Sequence, residues 1–145
     1  MLERSSASAV LSVSPRHEDS ASLERILRRS GWAFLAADTL ASSFSVLRER
    51  TVSIVICADD LFPGTWREML THIERIENPP LLIVTSRLAD ERLWAEALNL
   101  GAYDVLAAPF DDTEVVRIVD MAQRRWHNRW EPCRPMKTMA AGRQN

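Results

Sequence analysis

Val52-Ser-Ile-Val-Ile-Cys-Ala-Asp-Asp-Leu-Phe-Pro-Gly-Thr-Trp66 is the stretch that decides how this chain folds. Ile54, Val55, Ile56 and Cys57 form an unbroken apolar run. A strand with one wet face alternates apolar and polar side chains, whereas an unbroken run belongs to a central parallel strand covered on both faces. The strand then runs into two carboxylates, Asp59 and Asp60, and a Pro63-Gly64 turn. Ligands of open parallel sheets collect at the carboxyl ends of the strands, so this acidic pair is a candidate for chemistry. Asp beside Pro-Gly is also ordinary loop chemistry.

Upstream, residues 9–14 (Ala-Val-Leu-Ser-Val-Ser) read as a first strand closed by Pro15. His17, Glu18, Asp19 and Ser20 give an acidic start to a first helix, in which Leu23, Ile26 and Leu27 form the buried stripe and Gly31 marks the end. Residues 32–36 read as a second strand. Asp38 or Thr39 can cap a second helix that buries Leu40, Phe44 and Leu47 and leaves Arg48, Glu49 and Arg50 in solvent.

Downstream of the central strand, Trp66, Met69, Leu70 and Ile73 share one face of a third helix, and Asn78-Pro79-Pro80 ends the segment. Residues 81–84 form a fourth buried strand ending in two hydroxyls, Thr85 and Ser86. A fourth helix from Ala89 buries Leu93, Ala97 and Leu100 and stops at Gly101. Residues 103–107 are a fifth strand. Asp111 with Glu114 resembles a capping pair for a fifth helix, whose apolar positions are Val115, Ile118, Val119, Ala122 and Trp126. Strict strand and helix alternation specifies an α/β fold, a flavodoxin-like (βα)5 sandwich whose five-stranded parallel sheet has the order 2-1-3-4-5.

At 145 residues the expectation is one domain at 9–130, with a flexible N-terminus at 1–8 and a disordered tail at 131–145. Hydrophobic content of 46% and charged content of 26% are those of a soluble globular chain. A net charge of −2 lacks the basic footprint of nucleic-acid binding. No run has membrane-spanning length and the N-terminus has no signal-peptide core, which places the protein in the cytoplasm, away from membranes. Cys57 and Cys133 read as free thiols, with no metal-ligand spacing around them.

Taken in order, the segment 52–64, Leu-Leu-Ile-Val-Thr-Ser at 81–86, Gly-Ala-Tyr-Asp-Val-Leu at 101–106 and Ala-Pro-Phe at 108–110 resemble the receiver domain of bacterial two-component response regulators, over roughly residues 10–126. The resemblance implies a domain that takes a phosphoryl group from a histidine kinase onto an aspartate at the end of strand 3, with Mg²⁺ assisting. It also implies a helix 4, strand 5, helix 5 face that changes on activation, docks protein partners and forms homodimers.

This sequence departs from that pattern where the chemistry sits. The family's metal-binding acidic pair falls on Ser14 and Pro15, and its lysine on Ala108. A serine hydroxyl is a weak neutral ligand, proline offers none, and a methyl group neutralises no phosphoryl charge. Glu18 and Asp19 read as first-turn residues favoured by the helix dipole, with reaching back toward a metal as the alternative, and Arg16 and Arg87 read as solvated loop residues, with standing in for the missing lysine as the alternative. The phosphoacceptor position falls on Asp59 when counted from Pro63 and on Ala58 when counted from Gly31. Thr85 and Ser86 are alternative phosphoryl contacts in the same way. Val105 stands where many receivers carry a switching aromatic. His17, His72 and His127 share no metal or triad spacing and read as surface or cap residues. One of Trp94, Trp126 and Trp130 is expected to be exposed.

The expectation is a stand-alone atypical receiver, not an enzyme and without a resident metal or cofactor, acting through protein binding with weak or absent phosphorylation. The alternative is a working acceptor at Asp59 with Thr85 as partner and Mg²⁺ as cofactor. A flavodoxin-like small-ligand domain is the third reading; the Ser-Pro-Arg-His-Glu that follows strand 1 is no glycine-rich phosphate loop.

Overall fold

The computed structural model describes residues 8–88 and 90–130, and for Trp130 the backbone alone. The expected N-terminal segment, apart from Ser8, and the expected tail at 131–145, with Cys133, lie outside these residues. The elements in order are β1 (Ala9–Val13), α1 (His17–Arg29), β2 (Phe34–Ala37), α2 (Leu40–Glu49), β3 (Val52–Ala58), α3 (Trp66–Ile73), β4 (Leu81–Ser86), α4 (Glu91–Leu100), β5 (Asp104–Ala107) and α5 (Asp112–Trp130). All strand pairs are parallel, in the order β2-β1-β3-β4-β5.

All seven residues of β3 are buried, so the run that sets the reading of the sequence is the middle of the sheet and is covered from both sides. Ile54 and Ile56 pack with Leu23, Ile26 and Leu27 of α1 and Val115, Ile118, Val119 and Ala122 of α5. Val55 and Cys57 pack on the opposite face with Trp66, Met69, Leu70 and Ile73 of α3 and Ala97 of α4. From Ile54 to Cys57 the even positions thus face one helix layer and the odd positions the other, whereas Val52, on the far side of a register shift against β1, packs with the second layer. Leu40, Phe44 and Leu47 of α2 pack half-buried against the second layer.

Local chemistry sets the helix ends. Thr39 caps α2, its Oγ1 accepting from the Ser42 N–H at 3.0 Å. Asp111 caps α5, its Oδ2 accepting from the Glu114 N–H at 2.9 Å, and Gly101 closes α4 in the left-handed region at φ 119°. One expected core position fails: Leu100 is 48% exposed. Helix α4 lies beside β5, the edge strand, and a helix at a sheet edge is covered along a narrow stripe, which here holds buried Ala97 and half-buried Leu93. His72 departs from the surface reading, because its ring stacks on Phe44 with centroids 3.7 Å apart and ties α3 to α2. Burial and the nearby Arg75 and Arg48 hold its pKa below the usual imidazole value.

The turn after β3 depends on Gly64, at φ 91°, where a Cβ would lie 2.6 Å from Leu40 Cδ2 and 3.1 Å from Glu68 Oε1. Gly31, at φ 87°, has open space around it. Gly31→Ala is therefore expected to cost only the left-handed backbone penalty of about 1–2 kcal/mol. Gly64→Ala adds an overlap with Leu40 and is expected to cost about 1 kcal/mol more. Urea unfolding of the two variants checks the order; equal losses would place no constraint at Leu40.

Candidate functional site

Parallel pairing brings the ends of four strands to one edge. The register sets Val13 beside Cys57, Ala58 beside Thr85 and Ser86 beside Ala107. Beyond the last pairs the backbone continues the ladder, with Asp59 N–H donating to Thr85 O at 2.8 Å and Ala108 N–H to Ser86 O at 3.0 Å. Ser14, Ala58, Asp59, Thr85, Ser86 and Ala108 are thereby gathered at a single end of the sheet. Pro15 and Asp60 lie beside them and are exposed.

The side chains at this edge are already engaged. Ser14 Oγ accepts from the Arg16 N–H at 3.1 Å, and Ser86 Oγ accepts from the Leu88 N–H at 3.0 Å. Both hydroxyls thus satisfy backbone donors two residues on, a common use of serine at the end of a strand. Thr85 is buried, and so is Ala58, the last residue of β3, whereas Asp59 opens the loop and is half-buried.

Two arginines that read as solvated in the sequence are the main departure from expectation. The Arg16 guanidinium pairs with Asp60 of the β3–α3 loop and with Asp19 Oδ2 at 3.5 Å. Arg87 Nη2, just beyond β4, donates to Asp19 Oδ1 at 2.8 Å. Asp19 sits in the first turn of α1, as expected, but it is only 9% exposed. A carboxylate taken out of water needs a counter-charge, and the two loops supply one from each side. Its side chain, at 12% exposure, is where this network carries energy; the Asp60 side chain is 48% exposed, and pairs of that kind contribute little. Glu18 is exposed.

The bond to Asp60, and the negative charges of Asp60, Asp19 and Asp59, raise the pKa of Arg16 above its ordinary value against the opposing effect of burial. One guanidinium thus answers to three carboxylates. No sequence pattern announces this, since Arg16 and Asp60 are 44 positions apart and Asp19 and Arg87 are 68 apart.

A Mg²⁺ site of the kind the resemblance implies needs one or two available carboxylates and room for waters. Ser14 and Pro15 supply none, and Asp19 and Asp60 are held by guanidinium groups. Among the described residues no group of three or more His, Cys, Asp and Glu side chains can hold a metal ion. That leaves Asp59, and with a single carboxylate beside two guanidinium groups the residues present fit a divalent cation poorly. Ala108, buried with a methyl side chain, has nothing to offer a phosphoryl oxygen.

The remaining candidates lie apart from this edge. His17 and His127 are exposed and His72 is on the α2–α3 side, so the three histidines do not converge. Trp126 is half-buried, with Nε1 donating to Pro79 O at 3.1 Å, while Trp94 is 49% exposed and its Nε1 donates to Asp104 Oδ1 at 3.4 Å.

No protein-family model matches the sequence, and no curated protein matches it. Solved structures do. The signal receiver domain of an HD domain-containing protein from Pseudomonas fluorescens Pf-5 superposes with a TM-score of 0.79 at 23% identity, covering 90% of this chain and 96% of that one. This chain has the fold of a response-regulator receiver domain. The receiver domain of a putative LuxO repressor protein from Vibrio parahaemolyticus gives a TM-score of 0.77 at 15% identity, covering 84% of this chain and 94% of that chain. The beryllofluoride-activated NtrC4 receiver domain, solved as a dimer, gives 0.75 at 20% identity, covering 81% and 98%. Receiver topology is thus present together with an edge at which Asp19 and Asp60 are paired with arginines of the same chain.

Cys57, buried at the penultimate position of β3 before the acidic loop, has its thiol pushed up to about 12 by burial first and then by the charges of Asp59 and Asp60. Its thiolate is scarce at any ordinary pH. The Cys57 peptide is expected to resist alkylation at pH 8 in the native protein and to react fully in denaturant, as read by peptide mass spectrometry. Because the folded thiol titrates above the unfolded one, its contribution to stability is complete below the unfolded pKa and is lost as pH rises from about 9 toward 12.

Proposed function

We propose that this receiver-fold chain acts in signal transduction as a non-catalytic module that binds protein partners, with weak or absent phosphorylation at Asp59. The observation that carries this reading is the Arg16 guanidinium held between Asp60 and Asp19 at the strand ends, beside Ser14, Pro15 and Ala108. Phosphoryl transfer to a carboxylate relies on fixed positive charge around the developing phosphoryl oxygens. Here the arginines are committed to other carboxylates and the lysine position is a methyl group.

The α4–β5–α5 face is the surface offered to partners. Trp94, Leu98 and Met121 are 49%, 44% and 45% exposed on it, and a large aromatic with one polar atom is a favoured interface anchor. A target protein, a histidine kinase or a second copy of the chain is the class of partner. Val105, buried in β5, offers no aromatic rotamer to report activation. No helix among the described residues is long and apolar enough to cross a membrane, and action in the cytoplasm is part of the same proposal.

The second reading is a working acceptor, and one observation favours it. Asp59 is half-buried at the end of the central strand, with its N–H on the Thr85 carbonyl, so a nucleophile and a hydroxyl residue are adjacent. Incubation with acetyl phosphate and Mg²⁺, followed by intact-mass measurement, separates the two. Little or no added phosphate is expected. Rapid stoichiometric labelling that Asp59→Asn abolishes would overturn the proposal and establish the second reading.

A further inference from the structure

Five charged groups meet at the sheet edge: Arg16 and Arg87 against Asp19, Asp59 and Asp60, two positive and three negative, for a net charge of −1. Repulsion among carboxylates at one edge calls for a cation between them. We infer that Arg16 is the resident cation of this pocket, an intramolecular group that takes over the charge-balancing role of a divalent ion and leaves the fold indifferent to such ions. The inference rests on the reading of this edge as a receiver-type pocket.

Position and shape both suit Arg16 to this role. Its backbone is the N-cap of α1, separated from the end of β1 only by Ser14 and Pro15, so the guanidinium starts beside the strand ends. The Ser14 hydroxyl receives its N–H and pins the turn from which the side chain leaves. A guanidinium presents forked donors, which lets one side chain reach Asp60 on one loop and Asp19 on α1; an ammonium is a point charge and serves one partner well. Arg87 closes the far side of Asp19, so the charge that a metal would have to displace is tethered at two places. A tethered cation pays no cost of recruitment from solution, and with a net charge of only −1 the pocket has little left to attract a divalent ion.

Thermal unfolding of the full chain, in chelator and in millimolar Mg²⁺, tests this. The wild type is expected to melt at the same temperature in both. Arg16→Gln leaves Asp60 unpaired and buried Asp19 with Arg87 alone, and is expected to lower the melting temperature in chelator by about 2–5 °C. Mg²⁺ should then recover part of that loss, and NaCl at matched ionic strength should recover less. Arg16→Lys, which keeps the charge and loses the fork, should fall between the two and covers the case in which Arg16→Gln does not fold. A wild type that Mg²⁺ stabilises, an Arg16→Gln chain that melts like the wild type, or a loss that Mg²⁺ leaves untouched each overturns the inference. No phosphodonor is present in this experiment, so its outcome is separate from that of the labelling assay.

Discussion

Burial of β3 on both faces is the constraint from which the rest of the architecture follows. Val52 to Ala58 exposes almost nothing, and a strand in that position must have a neighbour on each side and a helix layer above and below. Strands β1 and β4 supply the neighbours, α1 and α5 one layer, α3 and α4 most of the other. Connections between parallel strands return to the same end of the sheet, so every strand terminates at the same edge. Residues distant in sequence meet there because the core leaves them no other place.

What happens at that edge is decided by charge. Apolar packing brings Asp19, Asp59 and Asp60 into one neighbourhood, and the cost of holding carboxylates together falls to whatever cation is available. In this chain Arg16 and Arg87 take it up, each anchored in a turn immediately after a strand. The resulting network joins the β1–α1 turn, the β3–α3 loop and the residue that follows β4. Its energetic weight lies at buried Asp19, and the exposed arm to Asp60 serves more to occupy that carboxylate than to stabilise the fold.

Fold and chemistry separate cleanly in this molecule. The receiver architecture depends on which positions are apolar along strands and helices, and those positions are filled by Val, Ile, Leu, Ala and Trp side chains that take no part in phosphoryl transfer. The groups at the strand ends make few demands on the core. Ser14, Pro15 and Ala108 therefore occupy their strand ends without disturbing the sheet beneath them, whose order is that of the receiver fold.

The amino-acid sequence alone determined the elements and their order, because strand and helix periodicity, a cap at Asp38 or Thr39, the Asp111 cap and the closing Gly101 are properties of neighbours along the chain. It also placed Ser14, Asp59, Thr85, Ser86 and Ala108 at strand ends, since a strand end is where an apolar run stops. Tertiary structure decided the rest. The Arg16–Asp60 and Arg87–Asp19 pairs, the His72–Phe44 stack and the exposure of Leu100 depend on which elements lie side by side and on where the sheet ends. The physical reason is range: periodicity and capping act within a few residues, whereas a guanidinium and a carboxylate select each other through space after the backbone has brought them together.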